Sequence, residues 1–193
     1  MWRRIAEHLR AYPVIPAVRT LDDAREAATR PAAAVLVFKG SLFTLREVIG
    51  VCGAGRPVLV HIDLLEGIGK DEVGVQFLEE LGVRGVTSTR AHLIRHARRH
   101  GLVAIQRLFA VDSDALATGV ASARDASPHA VELLPGLALP HLMPTLGRDL
   151  GLPVIAAGLI TRPEHIRRSL DGGAVGVSTS AHDLWGTPRK ALG

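Results

Sequence analysis

Two short segments of small and hydroxyl side chains, Ala156-Ala-Gly-Leu-Ile160 and Gly176-Val-Ser-Thr-Ser180, have the composition of a phosphate cradle. Small residues expose backbone amides, Ser178, Thr179 and Ser180 add hydroxyl donors, and a helix opened by Ser180 would turn its positive end toward an anion. Gly158, Leu159, Ile160, Ser178, Thr179 and Ser180 are therefore the expected phosphate contacts. The plain alternative is a turn glycine followed by a helix cap. His61 and Asp63 stand two apart, which on a strand places them on one face, and with Glu132, Lys39 and Arg107 they suit the hydroxyl and polar groups of a ligand. A His with two carboxylates also suits a divalent cation such as Mg²⁺, held weakly at Asp63 and Glu132. No third ligand stands at a diagnostic spacing, so a hydrogen-bond network is the preferred reading and no metal is assigned.

Lys39, Arg90 and Arg107 are three cations that need either an anionic ligand or the acids Asp63 and Glu132 if they share one mouth. The stretch from Leu81 to Val111 holds six arginines and no acidic residue. Within it, His92, Arg95, His96 and Arg99 fall on one helical face, opposite Leu93, Ile94 and Ala97. Arg90, Arg95 and Arg99 are the candidates for RNA phosphates, against the alternative of a solvated face balanced by acids from elsewhere. Aromatic residues make up only 4% of the chain, which argues against a stacking platform for single-stranded bases.

These residues need a scaffold, and the apolar runs supply one. Val14–Val18, Ala33–Phe38, Val58–Ile62, Gly85–Ser88, Val103–Arg107, Ala130–Leu134, Val154–Ala157 and Ala174–Ser178 recur at intervals of about 20 to 28 residues. They are near-continuously hydrophobic rather than alternating, as strands covered on both faces are. Helical periodicity fills the intervals, with expected caps at Thr20, Thr44, Thr161 and Ser180. Eight strands alternating with helices imply a compact α/β (β/α)₈ TIM barrel, a single domain over 1–193 with a short last helix. Its βα loops would gather the polar residues on one face. An open doubly wound sheet is the alternative, although no Gly-x-Gly-x-x-Gly turn follows the first strand.

Neither a signal-peptide core nor an apolar run of about 18 residues is present, so no membrane partner and a cytoplasmic location are expected. The formal charge of +4 is compatible with an anionic partner. Cys52, the single cysteine, reads as an inert, partly buried thiol. Gly67-Ile-Gly-Lys-Asp71 is either a mobile lid or a rigid turn.

Longer motifs carry a resemblance. Val60-His-Ile-Asp-Leu-Leu-Glu-Gly67 with Lys70-Asp-Glu72, Gly85-Val-Thr-Ser-Thr-Arg90, Ala104-Ile-Gln-Arg-Leu-Phe109, Val131-Glu-Leu-Leu-Pro-Gly136, Ala157-Gly-Leu-Ile160 and Val177-Ser-Thr-Ser180 stand in one order. In these the chain resembles the glycerol-3-phosphate-responsive antiterminator family, over nearly its whole length. The resemblance implies a regulator without cofactor that senses glycerol 3-phosphate and, when loaded, binds leader mRNA of glycerol-use genes to prevent a terminator from forming. Transcription antitermination and the regulation of glycerol metabolism follow as expected roles, and a homo-oligomer is entertained. Two departures stand out: Ala156-Ala157-Gly158 where the family resembles Ala-Gly-Gly, and Glu66 where Gln is familiar. The first matters if residue 157 needs a positive φ. The competing reading is a barrel enzyme acting on a phosphorylated three- to five-carbon compound, with Glu132 or His61 as base. Against it, no Lys ends the sixth strand as in an imine-forming aldolase.

Overall fold

The computed structural model describes residues 1–53 and 55–192, the side chains of Thr145 and Arg148 excepted. Eight parallel strands close into a barrel: β1 Val14–Val18, β2 Val35–Val37, β3 Val58–His61, β4 Gly85–Ser88, β5 Val103–Phe109, β6 Ala130–Leu134, β7 Val154–Ala157 and β8 Gly176–Thr179. Each pairs with its neighbour in sequence and β8 closes on β1, so the expected (β/α)₈ barrel is the fold and the open sheet is not. The helices are α1 Trp2–Leu9, α2 Leu21–Thr29, α3 Leu42–Cys52, α4 Glu72–Leu81, α5 Ala91–Arg99, α6 Ser113–Ala126, α7 Leu139–Leu150 and α8 Pro163–Asp171. A two-residue ribbon, Gly40–Ser41 on Leu65–Glu66, ties the loops after β2 and β3.

Strands buried on both faces divide the apolar residues into two layers. One lies between strands and helices and includes Val14, Val37, Val60, Val86, Val131 and Val177. The other fills the barrel from Ile15, Leu36, Leu59, Val103, Ile105 and Ile155, and is closed below by Ile5 and Leu9 of α1. α1 precedes the first strand and stoppers the end of the barrel where the strands begin.

Several local expectations need correction. β2 starts at Val35 and β3 ends at His61, so Asp63 lies in a single 3₁₀ turn, Ile62–Leu64, and not on the strand with His61. Ser41, not Thr44, caps α3: its hydroxyl accepts from the Thr44 amide at 3.4 Å. Thr20 forms the full capping box expected of it. α8 opens at Pro163 with Arg162 at the cap position, one residue beyond Thr161. No α-helix follows β8 among the described residues; Ser180 leads only into the 3₁₀ turn His182–Leu184. Gly186 and Pro188 interrupt the segment, and Trp185 folds back, buried, to donate from Nε1 to the Thr179 carbonyl at 2.9 Å. A single turn has little aligned dipole, so the helix end expected after β8 to favour an anion is not formed.

Candidate functional site

A cavity of about 400 Å³ opens where the strands end. All six expected phosphate contacts line it: Gly158, Leu159 and Ile160 after β7, and Ser178, Thr179 and Ser180 at the end of β8. Arg107 of β5 and Glu132 of β6 also line it, as register partners on adjacent strands. Arg19, Phe38, Leu134 and Thr161 complete much of the wall and were missed as site residues. Arg19, Phe38 and Leu134 carry only the signal of position at or just beyond the ends of β1, β2 and β6, and Thr161 lies four residues past β7.

The β7 loop is shaped by two consecutive left-handed residues, Gly158 at φ +74 and Leu159 at φ +62. Glycine adopts this conformation freely, whereas Leu159 does so at a cost and stands 65% exposed at the rim. Ala157 ends β7 and is not among the residues with positive φ, so the chain loses no required backbone freedom by carrying alanine there. Gly136 faces it so closely that an added Cβ would lie 2.9 Å from the Ala157 amide nitrogen. Thr179 joins the two loops: its hydroxyl donates to the Ile160 carbonyl at 2.6 Å and accepts from the Ala181 amide at 3.1 Å.

The deep polar pair is Arg107 and Glu132. Nε and Oε2 lie 2.9 Å apart, with side chains only 6% and 4% exposed. They attract as charges, but they are not aligned for a hydrogen bond, and both atoms are buried without a hydrogen-bond partner among the described residues. Burial pushes the Glu132 carboxyl up, while Arg107 and a hydrogen bond from Ser178 pull it down. The Arg107 guanidinium packs 5.3 Å from the centre of the Phe38 ring and 5.8 Å from that of Phe109, and Arg19 sits 5.4 Å from Phe38.

His61 and Asp63 lie outside the cavity wall, with His61 Nε2 4.0 Å from Asp63 Oδ2. The His61 ring tilts against Phe38 at 5.6 Å, and burial followed by the neighbouring Arg107 pushes it down to about 4, so it is neutral near neutral pH. Asp63 turns toward β4, accepting from the Ser88 hydroxyl at 2.9 Å and the Thr89 amide at 2.9 Å, with Arg90 Nε at 3.4 Å. Asp63 and Glu132 therefore belong to separate networks, and no group of three metal-ligating side chains gathers among the described residues. Lys39 is exposed and does not line the cavity.

The basic face of α5 is balanced by acids from its neighbours. Arg95 pairs with Asp125 of α6, and Arg99 reaches Glu72 of α4 at 3.0 Å. The segment after β3 is pinned as a turn: the Lys70 ammonium donates to the Leu65 carbonyl, and Asp71 caps α4 by accepting from the Gly74 amide at 2.8 Å. Cys52 is buried, and burial pushes its thiol up, in keeping with an inert role.

Fold and site together define a (β/α)₈ barrel with a polar pocket for a small ligand at the C-terminal ends of its strands. Residues 14–185 match the model of the glycerol-3-phosphate-responsive antiterminator family, and the chain belongs to that family. It is similar to the glycerol uptake operon antiterminator regulatory protein of Listeria monocytogenes, at 33% identity and a TM-score of 0.83, covering 89% of this chain and 94% of that one. A glycerol uptake operon antiterminator-related protein of Thermotoga maritima aligns at 27% identity and a TM-score of 0.81, covering 92% and 99%. The Escherichia coli K12 protein YgcP is 31% identical over 186 residues, 95% of this chain and 97% of YgcP. The chain is thus a regulator of glycerol-use genes by antitermination rather than an enzyme, a role that joins a small phosphorylated effector to RNA binding. No described helix is long and apolar enough to cross a membrane.

Proposed function

We propose that the effector is glycerol 3-phosphate bound in the 400 Å³ cavity, and that the loaded protein binds leader mRNA of glycerol-use genes so that a terminator does not form. One observation carries the choice of site: Arg107 Nε and Glu132 Oε2 are buried without hydrogen-bond partners in the wall of the same cavity as the two small-residue loops. An unpartnered buried donor and acceptor are costly, and a ligand bearing both hydroxyls and an anionic group would satisfy them together. The phosphate sits against the amides of Gly158, Leu159 and Ile160 and the hydroxyl of Ser180, with Ser178 lining the cavity while its hydroxyl donates to Glu132, and Thr179 ties Ile160 to the end of β8. Glu132 accepts a hydroxyl and Arg107 donates to the ligand. His61 supports Phe38 and Arg107 from behind, and Asp63 orders the β4 loop.

Calorimetric titration with glycerol 3-phosphate, glycerol and inorganic phosphate tests the ligand, and titration of a leader RNA hairpin with and without glycerol 3-phosphate tests the coupling. Glycerol 3-phosphate should bind more tightly than either fragment, and each of ligand and RNA should raise the affinity of the other by the same factor. RNA affinity indifferent to the ligand would overturn the regulatory reading.

A further inference from the structure

We propose that the face opposite the effector pocket, where the strands begin, is a polyanion site that receives the phosphates of the leader RNA; this rests on the RNA-binding reading above. The expected RNA arginines on α5 have acidic partners, whereas the arginines at the base of the barrel do not. Among the described residues Arg4, Arg56, Arg84 and Arg98 have no carboxylate within 4.0 Å, although Arg56 does donate to the Ala27 carbonyl. Arg4, His8, Arg56 and Arg84 line one cavity of about 340 Å³ whose wall contains no acidic residue. Arg98, in the last turn of α5, stands near His129, whose ring accepts from the Ala104 amide at the base of β5 at 3.0 Å and is held down by burial and then by the Arg98 charge.

The helix dipole accounts for Arg98, in the last turn of α5, but not for Arg4. Basic side chains complement a helix at its C-terminal turn, yet Arg3 and Arg4 stand in the first turn of α1, which has no acidic residue to offset them. Arg84 follows α4 and stands exposed before β4. Around the pocket mouth the charge is mixed: Asp22, Asp71, Asp112 and Glu164 stand at or beside helix caps, but Arg90 and Arg162 are themselves the cap residues of α5 and α8. A phosphate backbone is therefore drawn to the base, where arginines line a cavity with no acid among its described residues.

The test is anisotropy of a labelled leader hairpin, with glycerol 3-phosphate present, across a salt series, for the full chain and two variants. Arg4→Ala with Arg84→Ala and Arg98→Ala should flatten the salt dependence by about 0.7 in slope for each lost phosphate contact, hence roughly 100-fold weaker binding at about 0.1 M salt. Arg95→Ala with Arg99→Ala should leave the slope near that of the unmodified chain. Calorimetry should find glycerol 3-phosphate affinity unchanged in the triple variant. Loss confined to the α5 pair, or a triple variant with unchanged slope, overturns the proposal. If the unmodified chain binds no leader RNA, the functional reading has failed, and heparin retention of the same variants still decides the site: earlier elution of the triple variant supports it and equal elution overturns it.

Discussion

Replacing Arg107 by Met keeps the bulk of the side chain against Phe38 and removes the charge beside Glu132. The partner is then a carboxyl, 4% exposed in its side chain, with no counter-ion and only the hydrogen bond from Ser178. Breaking a buried pair from one side costs about 3–5 kcal/mol, because the remaining charge stays desolvated. The pH dependence identifies the cause. Burial already raises the Glu132 carboxyl, and Arg107 opposes that rise, so Arg107→Met raises it further. The folded state then keeps a proton that the unfolded chain has released, and stability falls as pH climbs from the unfolded carboxyl range, near 4.3, to the new folded value. The slope approaches about 1.4 kcal/mol per pH unit, and the loss shrinks again in acid. Urea unfolding from pH 5 to 8 measures this. Adding Glu132→Leu should recover most of the loss, since an apolar pair in place of a buried ion pair is often neutral or better. Equal destabilisation at pH 5 and pH 8, or a loss under about 1 kcal/mol at pH 8, would refute the argument, the floor of 3 being set by the buried charge.

Two further outcomes follow from neighbouring groups. His61 is held near 4 against 6.5 when free, so the folded state binds fewer protons between those values; stability should be complete above pH 6.5 and decline by up to about 3 kcal/mol as pH falls toward 4, a dependence His61→Leu should remove. Leu159→Gly relieves an exposed residue of a positive φ and should raise the thermal midpoint, by about 1 kcal/mol in stability, a prediction refuted by a lowered midpoint.

The barrel was legible because its chemistry is local. Parallel strands enclosed between helices and a filled interior must be apolar on both faces, and runs such as Val58–His61 and Val154–Ala157 show this without reference to the rest of the chain. What escaped notice depended on partners distant in sequence. α1 carries Trp2, Ile5 and Leu9 at helical spacing, but that it stoppers the barrel becomes evident only when Ile5 and Leu9 meet Ile15, Leu36 and Ile155. The expected helix after Ser180 failed for the opposite reason: a local cap pattern was present, while Gly186, Pro188 and the inward turn of Trp185 settled the segment as a 3₁₀ turn.

The site divides in the same way. Gly158 through Ile160 and Ser178 through Ser180 are each contiguous in sequence, so the fold has only to bring two neighbouring strand ends together for both to line one cavity. The expectation that His61 and Asp63 share a strand relied on a period of two that stops where β3 stops; the 3₁₀ turn still leaves them 4.0 Å apart, while Asp63 takes its hydrogen bonds from Ser88 and Thr89. Charge is the least local property of all. Along the sequence the arginines of α5 are conspicuous, because no acid lies near them, but Glu72 and Asp125 on the flanking helices neutralise two of them in space. Arg84 and Arg98 belong to the same acid-free stretch and have no acidic partner among the described residues, and the barrel sets Arg84 beside Arg4 and Arg56, distant in sequence, around one cavity without acids among its described residues. A cluster of arginines along the sequence thus does not tell which of them keep an unpaired charge, and a polyanion responds to the unpaired ones.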